Sequence, residues 1–568
     1  MMHKPPPSPE ADDTAIARAW WKEAVVYQVY PRSFADSDGD GVGDLAGITA
    51  HLDHIADLGV DVIWLSPHYQ SPFVDNGYDI SDYRAVSPLF GTMKDFDTLL
   101  AQVKARGMKL IIDLVVNHTS DQHAWFADAR KSRTAEKRDF YIWRDGTPDA
   151  PPNDWQSFFS TPAWTWDDAT QAWYLHLFAR EQPDLNWDNP AVREEVYDIM
   201  RFWLDKGVDG FRMDVIPFIS KPADLPENDK ALPWEQFYAE GPKLHEYLKE
   251  MRQEVLDHYD CMTVGEGNGL SVEQMGRMVD ARRGELDTIF QFDVINFLWG
   301  REQPRTWTLP EFKRVLRDQS VSVRPHGWNT VFLSNHDTPR ALNRYGDPDP
   351  AWRQASAKVL HTLILTQPGT PYIYQGDELG MSNYPFTALD QFDDIAVRQG
   401  WAKRQAAGET DPSAYLAELN IVSRDHTRTP MQWDDGPNAG FTQSGVTPWL
   451  PVHPDHATIN AKAAWADPQS ACHAIAKLTQ LRRDTPSMVY GDYTDLAPDH
   501  PELLIYRRWL AKENEGALVA LNFSRKTLTW ELPKSIHIQG VAYRTDNRAN
   551  VDGGKIKLGG WSGIVLAL

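Results

Sequence analysis

The chain has 568 residues, 42% hydrophobic and 24% charged, with a formal net charge of −23; such a composition is globular, and the length exceeds one ordinary domain unless a large barrel is present. The acidity excludes a nucleic-acid partner, which needs clustered Lys and Arg, but not a neutral sugar. Cys261 and Cys472, the two cysteines, exclude a disulfide framework, and with no visible signal peptide and no run of 18 apolar residues the expected protein is cytoplasmic and membrane-free.

In chain order, Met1–Asp13 is rich in Pro and polar residues and is expected to be disordered. Short, β-branched apolar runs then recur at Val25–Val29, Val60–Leu65, Lys109–Val116, Val208–Met213, Met262–Val264, Thr288–Phe292, Thr330–Leu333 and Pro371–Tyr374. Continuous runs of this kind read as parallel strands buried on both faces. Helical patterns separate them, as at Lys94–Arg106, Ala191–Lys206, Pro242–His258 and Pro350–Leu365. Eight strand–helix repeats predict an α/β fold, a (β/α)8 TIM barrel. Two stretches interrupt it: residues 117–189, loop-like and rich in Trp, Pro and Asp, and a long loop at 376–450 after the eighth strand. After 491 short strands with turn residues predict a small antiparallel β-sandwich. The expected division is a barrel over 1–116 and 190–490, an inserted domain over 117–189 and a C-terminal sandwich over 491–568. Trp155, Trp164 and Trp166, in loop-like sequence of the insertion, are candidates for stacking on sugar rings.

A barrel carries its chemistry at the C-terminal ends of its strands. Asp113, Asn117 and His118 close the third strand, Arg212 and Asp214 the fourth; Glu266 follows the fifth, His336 and Asp337 the seventh. Four such sets in barrel phase point to a site. Cleavage of a glycosidic bond needs one carboxyl to protonate the leaving oxygen and one to meet the developing cation. Arg212, two residues from Asp214 on the same side of the strand, favours an ionised Asp214, the nucleophile candidate. Glu266, without a cation adjacent in sequence and flanked by glycines, is the acid/base candidate. Asp337 suits hydroxyl binding that sharpens in the transition state, with His118 and His336 as further donors. Asp36-Ser-Asp-Gly-Asp-Gly-Val-Gly-Asp44 sets carboxylates at alternate positions around glycines, which suits an oxygen-ligated cation, although Gly47 stands where an EF-hand has Glu.

Asp113-Leu-Val-Val-Asn-His118, Gly210-Phe-Arg-Met-Asp214, Glu266 and Phe332-Leu-Ser-Asn-His-Asp337 resemble the four core motifs of glycoside hydrolase family 13, the α-amylase family. Gln182-Pro-Asp-Leu-Asn-Trp187, Gly369–Met381 and Ser423–Trp433 place the resemblance on its oligo-1,6-glucosidase side, across nearly the whole chain. The resemblance implies Asp214 as nucleophile, Glu266 as acid/base and Asp337 as transition-state stabiliser, with retention of configuration. It further implies Tyr78 stacking under a bound glucose and Asp79 holding that sugar's terminal hydroxyls. Arg428 would pair with Asp79 across a pocket one glucose deep, with Arg424 as the neighbouring alternative; this makes an exo-acting enzyme on short substrates. A structural Ca²⁺ is implied at Asp36, Asp38, Asp40, the Val42 carbonyl and Asp44; the same oxygens also suit Mg²⁺. Val215 resembles the residue of α-1,6-acting members, whereas Pro217 and Phe73-Val74 depart from their usual pattern. The expected partner is an oligosaccharide or disaccharide, with the protein a monomer or homodimer. Alternatives within the family are an α-1,4-preferring or sucrose-acting glucosidase, with transglucosylation, or a sucrose isomerase or glucosyltransferase; the absence of Arg from Phe290–Leu298 disfavours the isomerase. Non-catalytic barrels of the family lose these carboxylates and carry a transmembrane helix, neither of which this sequence shows.

Overall fold

The structure, a computed structural model, describes residues 16–159, 161–229, 237–296 and 307–568, and the backbone alone at 299–300 and 303–304. Met1–Asp13 and the end of the Phe290–Leu298 stretch lie outside the described residues.

All eight expected strands form one parallel sheet: β1 Val26–Val29, β2 Val62–Leu65, β3 Lys109–Val115, β4 Gly210–Asp214, β5 Met262–Glu266, β6 Thr288–Phe290, β7 Thr330–Val331 and β8 Thr370–Tyr374. β1 pairs with β2 and β8 in one register, Val26 opposite Val62 and Tyr372. A bridge between Ile289 and Asn329 and a hydrogen bond from the Thr330 hydroxyl to the Ile289 carbonyl (3.1 Å) join β6 to β7 and close the barrel.

Successive residues of each strand face opposite sides. Val26, Val62, Trp64, Ile111, Val264 and Tyr372 pack inside, while Tyr27, Ile63, Leu65, Leu110 and Ile112 pack outward in the core beneath the helices. Both faces are buried, which is why the strands read as unbroken apolar runs.

The helices begin and end where local chemistry dictates. Met93–Ala105 starts at a capping box between Thr92 and Asp95. Pro190–Lys206 has Asn189 as N-cap, Pro at its first turn, and Gly207 (φ 110°) at its end. The helix expected over Pro242–His258 runs only from Leu244 to Glu254; Val255 leaves helical geometry and a 3₁₀ turn, Leu256–His258, follows.

Between β3 and Pro190–Lys206 the chain folds a three-stranded antiparallel sheet from Trp143–Arg144, Trp164–Asp167 and Ala172–Leu175. Trp155 and Trp164 are buried in it, with indole N–H groups donating to Pro226 O (2.7 Å) and Asn153 Oδ1 (2.7 Å). Trp166 packs edge-on to Trp173. Trp155 and Trp164 are core rather than sugar platforms, a correction to their loop-like sequence, whereas Trp166 is half-buried. After β8 come the helices Ile395–Ala406 and Ser413–Val422, and the chain finishes in antiparallel sheets of five and three strands. Leu503, Ile505, Leu518, Ile556, Ile564 and Leu566 fill the space between them. Among the described residues no helix is long and apolar enough to cross a membrane, and both cysteines are free thiols.

Candidate active site

The parallel register brings the strand-end residues together. Asp113 lies opposite Arg212, and Val115 opposite Asp214, so Arg212 and Asp214 share one side of β4 with Asp113 beside them. Arg212 is fully buried and touches three carboxylates. Its Nη1 donates to Asp113 Oδ1 (2.7 Å) and Asp214 Oδ1 (2.5 Å), and its Nη2 to Glu266 Oε2 (2.7 Å). Asp113 takes a further hydrogen bond from the Trp64 indole (2.7 Å).

One guanidinium cannot neutralise three buried carboxylates. Burial pushes Asp214 up to about 6 against the pull of Arg212, and Asp113 likewise to about 6. Burial, opposed by Arg212 and aided by repulsion from Asp214 and Asp337, takes Glu266 up to about 7. The order is that expected of a nucleophile and an acid, but the cause differs from the sequence argument. Arg212 serves Glu266 as well as Asp214.

Asp337 has the opposite environment. Its Oδ1 accepts from Arg424 Nη1 (2.9 Å) and Arg428 Nη2 (2.9 Å), and its Oδ2 lies 3.0 Å from His336 Nε2. Burial alone would raise it; His336 and the two guanidinium groups outweigh that and hold it well below the usual carboxylate range. Tyr78 lies parallel to the His336 ring, centroids 5.3 Å apart, with its hydroxyl 2.6 Å from Nε2. His118 Nε2 is 3.0 Å from the Tyr78 carbonyl and 3.1 Å from the Gln182 amide.

These groups line a cleft of about 1560 Å³ that includes Asp75, Tyr78, Asp214, Glu266, Asp337 and Arg424. His118 and Val215 also reach it; Arg212 and His336 lie beneath its wall. Phe158, Phe159 and Phe178 bring the insertion over one side, and the two helices after β8 extend the opposite side.

The expected Asp79–Arg428 pair does not form. The fully buried Asp79 accepts from the Ser71 hydroxyl (2.9 Å) and from the amides of Val74 (2.8 Å) and Asp75 (3.2 Å), fastening a loop in which Phe73 (φ 60°) and Asn76 (φ 50°) turn left-handed. Arg428 lies under Asp337, its Nε donating to the His336 carbonyl (2.9 Å). It is Arg424 that pairs across the cleft with Asp75 (3.2 Å), besides its contacts with Asp337 and Asp394. Arg424 precedes the short helix Asp425–Arg428, so its side chain faces the cleft whereas Arg428, one turn on, lies deeper.

Sequence reasoning also missed two supports of this pair. Asp394 receives Arg424 bidentately (2.6 and 2.8 Å), and Gln182 donates to Asp75 Oδ2 (3.2 Å). The one available signal was that Asp75 and Arg424 share the motifs that contain Asp79 and Arg428.

Val215, immediately after Asp214, occupies the left-handed region (φ 36°, ψ 37°), costly for a β-branched residue. That conformation points its amide at Glu266 Oε2 (3.1 Å).

In the Asp36–Asp44 loop, oxygens of Asp36, Asp38 and Asp40 come within 4.8 Å of one another, and this group could hold a metal. Asp38 is raised by its slight burial and by repulsion from Asp40, Asp44 and Asp36, an environment a cation would relieve. Asp44 turns inward, capping Leu45–Ala50 through the Gly47 amide (2.7 Å) and accepting from Ser37. The Val42 amide donates to Asp40 (2.8 Å).

Residues 28–491 match the α-amylase catalytic domain. The oligo-1,6-glucosidase of Parageobacillus thermoglucosidasius is 49% identical over 529 residues, 92% of this chain and 93% of that protein. The α-glucosidase of Pediococcus pentosaceus is 49% identical over 496 residues, 85% and 88% of the two chains. The trehalulose synthase of Pseudomonas mesoacidophila superposes with a TM-score of 0.94 at 44% identity, covering 97% of this chain and all of that one; a variant of that protein has been solved with its substrate sucrose. The chain belongs to the α-amylase family and is a glycoside hydrolase acting on α-glucosides.

Proposed function

We propose that the protein is a retaining, exo-acting α-glucosidase that removes one glucose at a time from the non-reducing end of short α-glucosides, preferring α-1,6 linkages. Asp214 attacks the anomeric carbon as Glu266 gives its proton to the departing glycosidic oxygen, which leaves with the bonding electron pair. Glu266 then takes a proton from water, whose oxygen displaces Asp214 and restores the original configuration. A sugar hydroxyl in place of that water gives transglucosylation. Asp337 binds ring hydroxyls whose hydrogen bonds strengthen as the sugar flattens toward the oxocarbenium ion, and Tyr78, His118 and His336 position that ring.

The observation that carries the exo reading is the Arg424–Asp75 pair joined through Arg424 to Asp337. A charged pair aimed at terminal hydroxyls rewards an end group that bonds both partners. Asp75 and Arg424 therefore take the roles expected of Asp79 and Arg428; Asp79 fastens the loop of Asp75, and Arg428 holds Asp337. A divalent cation, Ca²⁺ or Mg²⁺, would serve the Asp36–Asp40 group structurally, remote from these steps. Val215 faces the leaving group, and its resemblance to α-1,6-acting relatives supports the linkage.

The likeness to a trehalulose synthase keeps sucrose isomerisation as a second reading. Incubation with maltose, isomaltose, sucrose, trehalose and the trimers, with products identified, separates them. Glucose from isomaltose faster than from maltose supports the proposal; a rearranged disaccharide from sucrose as main product supports the second; random internal cuts in starch refute the exo mode.

A further inference from the structure

The two oxygens of Glu266 are held differently. Oε2 receives both the Val215 amide (3.1 Å) and Arg212 Nη2 (2.7 Å). An oxygen facing two donors, one cationic, is a poor site for a proton. The exchangeable proton therefore belongs on Oε1, whose partner is the Asn268 side-chain amide (Nδ2, 2.9 Å). Asn268 lines the cleft between Gly267 and Gly269. Its backbone has little freedom: a Cβ on Gly267 would come within 2.6 Å of the Phe290 carbonyl, and Gly269 is left-handed (φ 75°).

We propose that Asn268 is the positioning residue for the proton-carrying oxygen of Glu266, donating N–H to it when Glu266 is ionised and, with the amide turned over, accepting its O–H when Glu266 is protonated. The inference rests on Glu266 as acid/base. That role demands both states in each cycle: Oε1 loses its proton to the leaving oxygen as the glycosidic bond breaks, then regains one from the attacking water. A side-chain amide is both donor and acceptor, so it can hold either state in one place. The charged neighbours that also bear on Glu266 are Arg212, Asp214 and Asp113 from β3 and β4, and Asp337 after β7; Asp293, after β6, shares the cleft. Among the described residues, Asn268 is the uncharged side chain hydrogen-bonded to Oε1.

The test is the pH dependence of kcat/KM for wild type, Asn268→Ala and Asn268→Asp, on isomaltose and on p-nitrophenyl α-glucoside. With Ala, the carboxylate loses a donor, so the high-pH limb moves upward. Isomaltose, whose leaving group needs the proton, should lose on the order of tenfold more than the aryl glucoside. With Asp, ionised, the site can accept the acid's O–H but not donate to the carboxylate. The limb should move further up, and slowed deglucosylation should appear as a burst of p-nitrophenol. Asn268→Ser, still donor and acceptor, should recover part of the loss. If variants with wild-type melting temperature lose rate equally on both substrates and keep the wild-type limbs, Asn268 only contacts sugar and the proposal is overturned. Glu266→Gln separates the two levels: if it does not spare the aryl substrate, the acid assignment fails and takes this proposal with it.

Discussion

Arg424→Ala tests the cleft's charge arrangement most severely. Arg424 makes four hydrogen bonds to three carboxylates: two to Asp394 (2.6 and 2.8 Å), one to Asp337 (2.9 Å) and one to Asp75 (3.2 Å). Asp337 keeps Arg428 and His336, but Asp394 and Asp75 lose the cation they share. Breaking a buried pair from one side costs about 3–5 kcal/mol. Part of that appears as lost stability, and the rest as lost transition-state binding. If roughly 3 kcal/mol falls on the transition state, kcat/KM drops by about 10²-fold. The glucose being transferred is the same in every substrate, so the fall should be shared by isomaltose, maltose and p-nitrophenyl α-glucoside, with their ratios unchanged. Initial rates on the three substrates, with a melting curve, measure it. A variant that keeps overall efficiency, or changes linkage preference instead, would refute the assignment of Arg424 and Asp75 to the terminal sugar.

Val215→Ala or Val215→Thr should act the other way, shifting the ratio of isomaltose to maltose hydrolysis while p-nitrophenyl α-glucoside changes little; parallel rates on the three substrates measure it. On the proposed mechanism, in which Asp214 acts ionised and Glu266 protonated, kcat/KM should rise through about pH 6 and fall through about pH 7, as apparent values of the coupled pair. For stability the sign is that of raised carboxyls: their contribution is full below the unfolded value near 4 and is lost as pH rises through about 6–7, so the melting temperature should decline over that window. Chelation should lower the melting temperature, and Ca²⁺ should restore it without altering the pH profile; a melting curve indifferent to EDTA would make Asp36–Asp44 an ordinary turn.

Most of the barrel was legible because strands buried on both faces leave continuous apolar runs, and because Asp214, Glu266 and Asp337 sit at fixed phase beyond them. The tryptophans of the insertion misled for a physical reason. Trp155 and Trp164 lie in sequence without periodicity, yet short antiparallel strands and cap-like loops bury them. The ion pair was misassigned because one motif holds two aspartates and the other two arginines, each pair four residues apart, and sequence does not say which member of each faces the cleft. The left-handed turns at Phe73 and Asn76 decide it for Asp75, and the short helix after Arg424 decides it for the arginine. The shared guanidinium was equally hidden, since Glu266 is 54 residues from Arg212 in sequence and meets it only through the pairing of β4 with β5.

Trapping the covalent intermediate tests the central claim most directly. A 5-fluoro-α-glucosyl fluoride slows breakdown of the glucosyl-enzyme enough for digestion and peptide mass spectrometry. The account predicts one fluoroglucosyl label per chain, on the peptide carrying Asp214, and α-glucose as the first sugar product of p-nitrophenyl α-glucoside hydrolysis. A label on another carboxylate, or β-glucose as the first product, would contradict it.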